Sequence, residues 1–139
     1  MKPALIISWL IQLATAAILA MAGFMKLASF RETILLFQKI DFDPGGRIAI
    51  GLLEILAAIL ILIPRAAIWG AVLAWGIMTG ALIAHCSRLG FTGDFGQLGF
   101  MALAIWLGST LVIVLRRQES TALARMFARS KKNEPPSIP

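Results

Sequence analysis

The sequence predicts an all-α fold: an integral membrane four-helix bundle, edged by short amphipathic segments at the interface. Three observations carry this. Hydrophobic residues make up 59% of the 139-residue chain and charged residues only 14%, against roughly 45–50% and about 25% in soluble domains. The apolar residues gather into four runs, each near the ~20 residues that a helix needs to cross a bilayer. None of the runs shows the period-2 alternation of a barrel strand, and a helix satisfies its own backbone in hydrocarbon. With one cysteine and a mean hydropathy of +0.86, the composition excludes a disordered chain, a disulfide scaffold and an ordinary soluble enzyme.

The first run covers about 4–27, broken only by Ser8, Gln12 and Thr15. Lys2 followed by an apolar stretch and Ala20-Met21-Ala22 imitates a signal peptide, but apolar character continues past Gly23, so the run reads as a retained helix. Residues Ser29 to Phe42 carry Phe30, Ile34, Phe37 and Leu36 against Arg31, Glu32, Gln38 and Lys39. This predicts a short interfacial helix, with Ser29 and Glu32 at capping-box spacing. Asp43-Pro44-Gly45-Gly46 turns the chain back. The second and third spans, about 48–63 and 66–86, are separated by Pro64-Arg65, and the fourth covers about 98–115. The membrane domain is thus 1–116. A basic tail, 117–139, contains a candidate helix from Ser120 to Ala128 with Leu123, Met126 and Phe127 apolar. It ends in a Glu134-Pro135-Pro136 segment expected to be disordered.

Four spans put both termini on one side. That side holds Lys2, Arg65, Arg116, Arg117, Arg125, Arg129, Lys131 and Lys132, eight basic residues against five on the other. The positive-inside rule makes the termini of this multi-pass protein cytoplasmic. The basic tail is expected to meet anionic lipid headgroups rather than nucleic acid, since no nucleic-acid reader module accompanies the charge. The small residues Gly70, Gly76 and Gly80 of the third span suit internal packing or homo-oligomer contact equally.

Polar side chains in hydrocarbon are costly and point to function. Glu54 shares its helix face with Gly51, Ala57 and Ala58, so it should face the bundle, roughly 9 Å below the outer boundary. Gln12, Ala16, Leu19, Gly23 and Lys26 form one stripe of the first helix, which should also face inward. Lys26 either snorkels to the headgroups or pairs inward. His85 lies at the same level, where it either bonds a loop carbonyl or joins a polar cluster. A buried carboxylate needs a cation, so a Lys26–Glu54 pair with His85 nearby is expected, beneath a lid made by Ser29–Phe42 and the Arg88–Gln97 loop. Seven of the eight Phe lie toward this end. Aromatic walls and a few donors suit a flat amphiphile such as a quinone. The same ion pair could instead serve only to fix helix register.

Absences narrow the chemistry. One histidine excludes bis-histidine haem, and one cysteine excludes a dithiol cycle or an iron–sulfur cage. Glu54, His85 and Cys86 lack the fourth ligand of a structural zinc site, so no metal is expected. The chain carries no intrinsic cofactor and no self-sufficient catalytic set in this reading, and redox chemistry would need a quinone or a partner redox subunit.

The stretch ILAMAGFMKL ending at Leu27, with Gln12, Gly23 and Lys26, together with IGLLEILAAILILIPR at 50–65 and GALIAHCSRLG at 80–90, resembles the DoxX and DoxX-like group of small four-helix bacterial membrane proteins. The resemblance covers about 5–115. It maps Gly23 and Lys26 to the end of the family's first helix and Gly51 and Glu54 to its second. It maps His85 to a histidine of the DoxX-like branch. Gln12 departs, since many members have arginine there. The name-giving member is similar to a subunit of a thiosulfate:quinone oxidoreductase, and other relatives act in membrane redox-stress complexes or methylamine-utilisation assembly. The resemblance therefore implies an accessory subunit of a membrane redox system. A noncatalytic scaffold or assembly factor, and a small transporter or lipid-binding protein, are the alternatives.

Overall fold

The computed structural model describes residues 2–132. It is all-helical among those residues: α1 (Pro3–Leu27), α2 (Arg31–Lys39), α3 (Gly45–Leu62), α4 (Ala67–Ala84), a π-helical turn (His85–Leu89), a 3-10 turn (Gly93–Phe95) and α5 (Gly96–Lys132). Four of these helices are long and apolar enough to cross a membrane. α1 and α4 each pack against both α3 and α5, so the four form a ring of alternating direction, with α1 opposite α4. The middle of the ring is filled by small residues with a few aliphatic plugs: Ala16, Leu19, Ala57, Ala58, Ile61, Ala71, Ala74, Ile105 and Val112 are all nearly inaccessible. Many large apolar side chains, including Leu10, Leu52, Ile59, Trp69 and Ile83, face outward, as lipid solvation permits.

The expected boundaries shift in three places. α3 begins three residues early, at Gly45, because the Asp43-Pro44 turn feeds it directly. α4 widens at His85 into the π turn rather than ending beyond it. α5 does not stop at 115: it runs unbroken for 37 residues, absorbing the first part of the tail. No Gly or Pro lies between Thr110 and Lys132 to end it. Glu134-Pro135-Pro136 and the Leu123 and Phe127 side chains lie outside what is described.

α2 closes one end of the ring, hereafter the lid end. Its buried residues are Thr33 and Phe37, so its inward face is Thr33, Phe37 and their neighbours, not Phe30, which is 42% exposed. Ser29 and Asp41, the residues that flank it, have left-handed φ of 59° and 57°. The expected Ser29 cap does not form. Phe30 is the N-cap, with no side-chain cap bond. The Ser29 hydroxyl instead accepts from Arg47 Nη1 at 3.0 Å. Lys39 places its ammonium 5.2 Å from the Phe95 ring centre, which ties the lid to the 3-10 turn.

Candidate functional site

The site begins with a close crossing of α1 and α3. A Cβ on Gly23 would stand 2.9 Å from the carbonyl oxygen of Gly51, and one on Gly51 would stand 3.2 Å from that of Gly23. Only glycine at both positions lets the backbones touch. Because the helices are antiparallel, Lys26 lies one turn toward the lid from this crossing and Glu54 one turn away. Side chains on a helix lean toward its N-terminus. Lys26 therefore folds back along α1, passing the Ala22 carbonyl at 3.4 Å, and reaches Glu54 Oε1 at 2.9 Å and Oε2 at 2.8 Å. It points away from the lid end, so it is the inward-paired lysine, not the snorkelling one. The Glu54 side chain is 1% exposed and that of Lys26 14%.

His85 reaches the same space from α4. Its Nδ1 lies 2.8 Å from the Gly90 carbonyl oxygen, and the Gly90 N–H donates back to the His85 carbonyl at 2.7 Å. This reciprocal clasp needs Gly90 at φ 77°, a conformation that glycine adopts without steric cost. Gly99 of α5 makes room for the ring: a Cβ there would come within 3.0 Å of His85 Nδ1. Phe91 packs 5.4 Å from the imidazole, centre to centre. Of the alternatives open in the sequence, the loop-carbonyl partner is realised; His85 also lines the same cavity as Lys26 and Glu54.

Between these groups lies a cavity of about 310 Å³. Lys26, Glu54 and His85 are on its wall, Thr33 and Phe37 of the lid cover it, and the remaining lining is apolar. The glycines of α4 divide into two kinds. A Cβ on Gly70 would stand 2.6 Å from the Ile61 nitrogen, which closes the α3–α4 seam near the terminal end. Gly76 and Gly80 line the cavity, and an added Cβ on either would have no atom within 4 Å. The lid-end half of α4 therefore presents open space where the other half presents close packing.

The sequence profile of the DoxX-like family matches residues 10–107 of the chain. The chain belongs to the DoxX-like family. No curated protein and no solved structure matches it. The matched segment contains Gln12, Gly23, Lys26, Gly51, Glu54 and His85, so every singled-out residue of this DoxX-like protein sits within the family's span.

Gln12 is not brought to the cavity. It is fully buried near the terminal end of the bundle, where its Nε2 donates to the Ser8 carbonyl at 3.0 Å and Ser8 Oγ at 2.9 Å. Its Oε1 accepts from Arg116 Nη2 at 3.0 Å. α5 thus supplies a cation beside Gln12. In the sequence Arg116 has the look of a juxtamembrane charge; in the fold its guanidinium turns inward and also lies 5.6 Å from the Trp9 ring centre.

Arg47 is likewise a loop charge by sequence position, yet it is buried, at 6% exposure. It holds Asp43 Oδ1 at 2.5 Å through Nε, and its Nη1 donates to the Lys26 carbonyl as well as to Ser29. It therefore pins the end of α1, the hinge of the lid and the start of α3 together. Its i,i+4 relation to Asp43 is the one signal in the sequence that could have found it.

Proposed function

We propose that this DoxX-like membrane protein is an accessory subunit of a bacterial inner-membrane redox system and holds a quinone-class molecule in the lid-end cavity. The observation that carries the reading is the cavity itself. It combines a volume of about 310 Å³, within the range of roughly 300–1,000 Å³ typical of small-molecule sites, with mostly apolar walls and three ionisable side chains among its lining. A purely structural ion pair needs no such space beside it.

Two further features support a lipid-soluble ligand. Gly76 and Gly80 leave the outer part of α4 unobstructed, a lateral way in from the bilayer for a molecule with an apolar tail. Below the cavity, Leu19, Ile61 and Ile105 fill the bundle axis at 0–1% exposure. This plug supports a dead-end binding site over a transport path. No catalytic set accompanies the cavity among the described residues, so electrons would be exchanged with a partner redox subunit. Both termini are assigned to the cytoplasm on the distribution of Lys and Arg.

The test is mass spectrometry of small molecules that co-purify from bacterial membranes in mild detergent. Ubiquinone or menaquinone should accompany the unaltered protein. Gly80→Leu, which adds bulk on the cavity lining where an added Cβ meets no atom within 4 Å, should lose it. An empty wild-type protein that neither added quinone nor its hydroquinone stabilises refutes the proposal.

A further inference from the structure

We infer that the cavity is built to receive hydroxyl donors, and so takes a quinone-class ligand in its reduced, hydroquinone form. This rests on the quinone-class reading above and adds the redox form of the ligand.

The argument is an inventory of hydrogen atoms on the cavity wall. An ammonium has three N–H groups. Those of Lys26 have three acceptors already: both Glu54 oxygens, at 2.9 and 2.8 Å, and the Ala22 carbonyl at 3.4 Å. The single hydroxyl hydrogen of Thr33 has the Phe30 carbonyl at 2.7 Å. The Glu54 carboxylate, ion-paired, has none to give. His85 decides the matter. A carbonyl oxygen only accepts, so the 2.8 Å contact to Gly90 places the ring hydrogen on Nδ1. In the neutral imidazole Nε2 is then a bare lone pair. The residue is 3% exposed, and Nε2 has no hydrogen-bond partner among the described residues. The rest of the lining is apolar or glycine, with its amides in helices apart from Ile40, which caps α2, and Phe42, whose N–H donates to the Phe37 carbonyl at 2.8 Å.

What the wall offers a ligand is therefore acceptor capacity: His85 Nε2, Thr33 Oγ and the remaining lone pairs of Glu54. A quinone brings two carbonyl oxygens, also acceptors, and would leave them desolvated without a donor. A hydroquinone of the same size and tail brings two O–H groups. Sites that bond a substrate hydroxyl reject the analogue lacking it, because their own buried groups are left unpaired. Binding alone is meant here, with no bond made or broken.

The experiment titrates the full-length protein in detergent with decylubiquinone, decylubiquinol and the dimethyl ether of decylubiquinol, reading thermal-shift midpoints against ligand concentration. The hydroquinone should bind about tenfold more tightly than the quinone, the worth of one well-placed hydrogen bond. The dimethyl ether keeps the electron-rich ring but has lost both hydrogens, and should bind no better than the quinone. In His85→Phe, its folding checked by its ligand-free midpoint, the preference should fall to about threefold or less. Equal or tighter binding of the quinone to the wild type overturns the inference and leaves the quinone-class reading standing. So does a dimethyl ether that matches the hydroquinone. No binding of any of the three overturns both.

Discussion

The Lys26–Glu54 pair allows a prediction with an asymmetry in it. Lys26→Met leaves the Glu54 carboxylate, 1% exposed, with no other cation bonded to it among the described residues. Removing one partner of a buried pair costs about 3–5 kcal/mol. Glu54→Leu leaves an ammonium on a four-carbon stem that already keeps 14% of its surface. That stem can swing toward the lid end and the headgroups, so the loss should be smaller, about 1–3 kcal/mol. The double variant removes both charges and puts apolar volume in their place, which is commonly neutral or stabilising. It should lie within about 1 kcal/mol of wild type, giving a coupling energy of about 3 kcal/mol or more. Reversible unfolding by SDS in mixed micelles, followed by the fluorescence of the four tryptophans, measures all three. Additive single effects, or Glu54→Leu as the costlier change, would refute the reasoning, since each contradicts a bond seated in a dry crossing.

Three further outcomes follow from the packing. Gly70→Ala drives a methyl group toward the Ile61 backbone nitrogen, 2.6 Å away, and should cost about 1–3 kcal/mol; Gly76→Ala and Gly80→Ala, with open space, should stay within about 0.5 kcal/mol of wild type by thermal melting. Arg47→Ala releases Asp43, the Lys26 carbonyl and Ser29 at once. It should cost about 2–4 kcal/mol and raise amide hydrogen exchange in residues 26–47 while leaving the terminal end protected. Arg116→Met strips the donor from buried Gln12 Oε1, a loss of about 1–3 kcal/mol that Gln12→Leu in the same chain should largely recover when both are melted side by side.

Periodicity made the inward stripe of α1 readable: Gln12, Ala16, Leu19 and Gly23 are all buried, and Lys26 follows them. The Lys26–Glu54 pair was legible for an energetic reason, since a carboxylate in hydrocarbon leaves few choices of partner. What escaped were features set by three-dimensional reach. Arg47 sits at a helix start and Arg116 at the end of the fourth apolar run, where sequence cannot tell a solvated charge from one that turns back into the bundle. The inward face of α2 keeps Phe37 but takes in Thr33 and leaves Phe30 exposed; Ser29 before it has a left-handed φ, and nothing local marks a serine for that conformation. The two roles of the α4 glycines were equally hidden, for they depend on where α3 comes close and where it parts from α4.

The unbroken course of α5 has a mechanical meaning. Its spanning part ends near Gln118, and 14 helical residues follow to Lys132, about 20 Å at 1.5 Å per residue. An unbroken helix that crosses a bilayer carries its far end past the surface rather than flat along it. Arg125, Arg129 and Lys132, exposed and spaced on one face, therefore stand about 10 to 20 Å beyond the span, more than one screening length of about 8 Å at physiological salt. Electrically they act apart from Arg116 and Arg117 at the rod's base, and any tilt of the bundle swings them through the widest arc of the molecule.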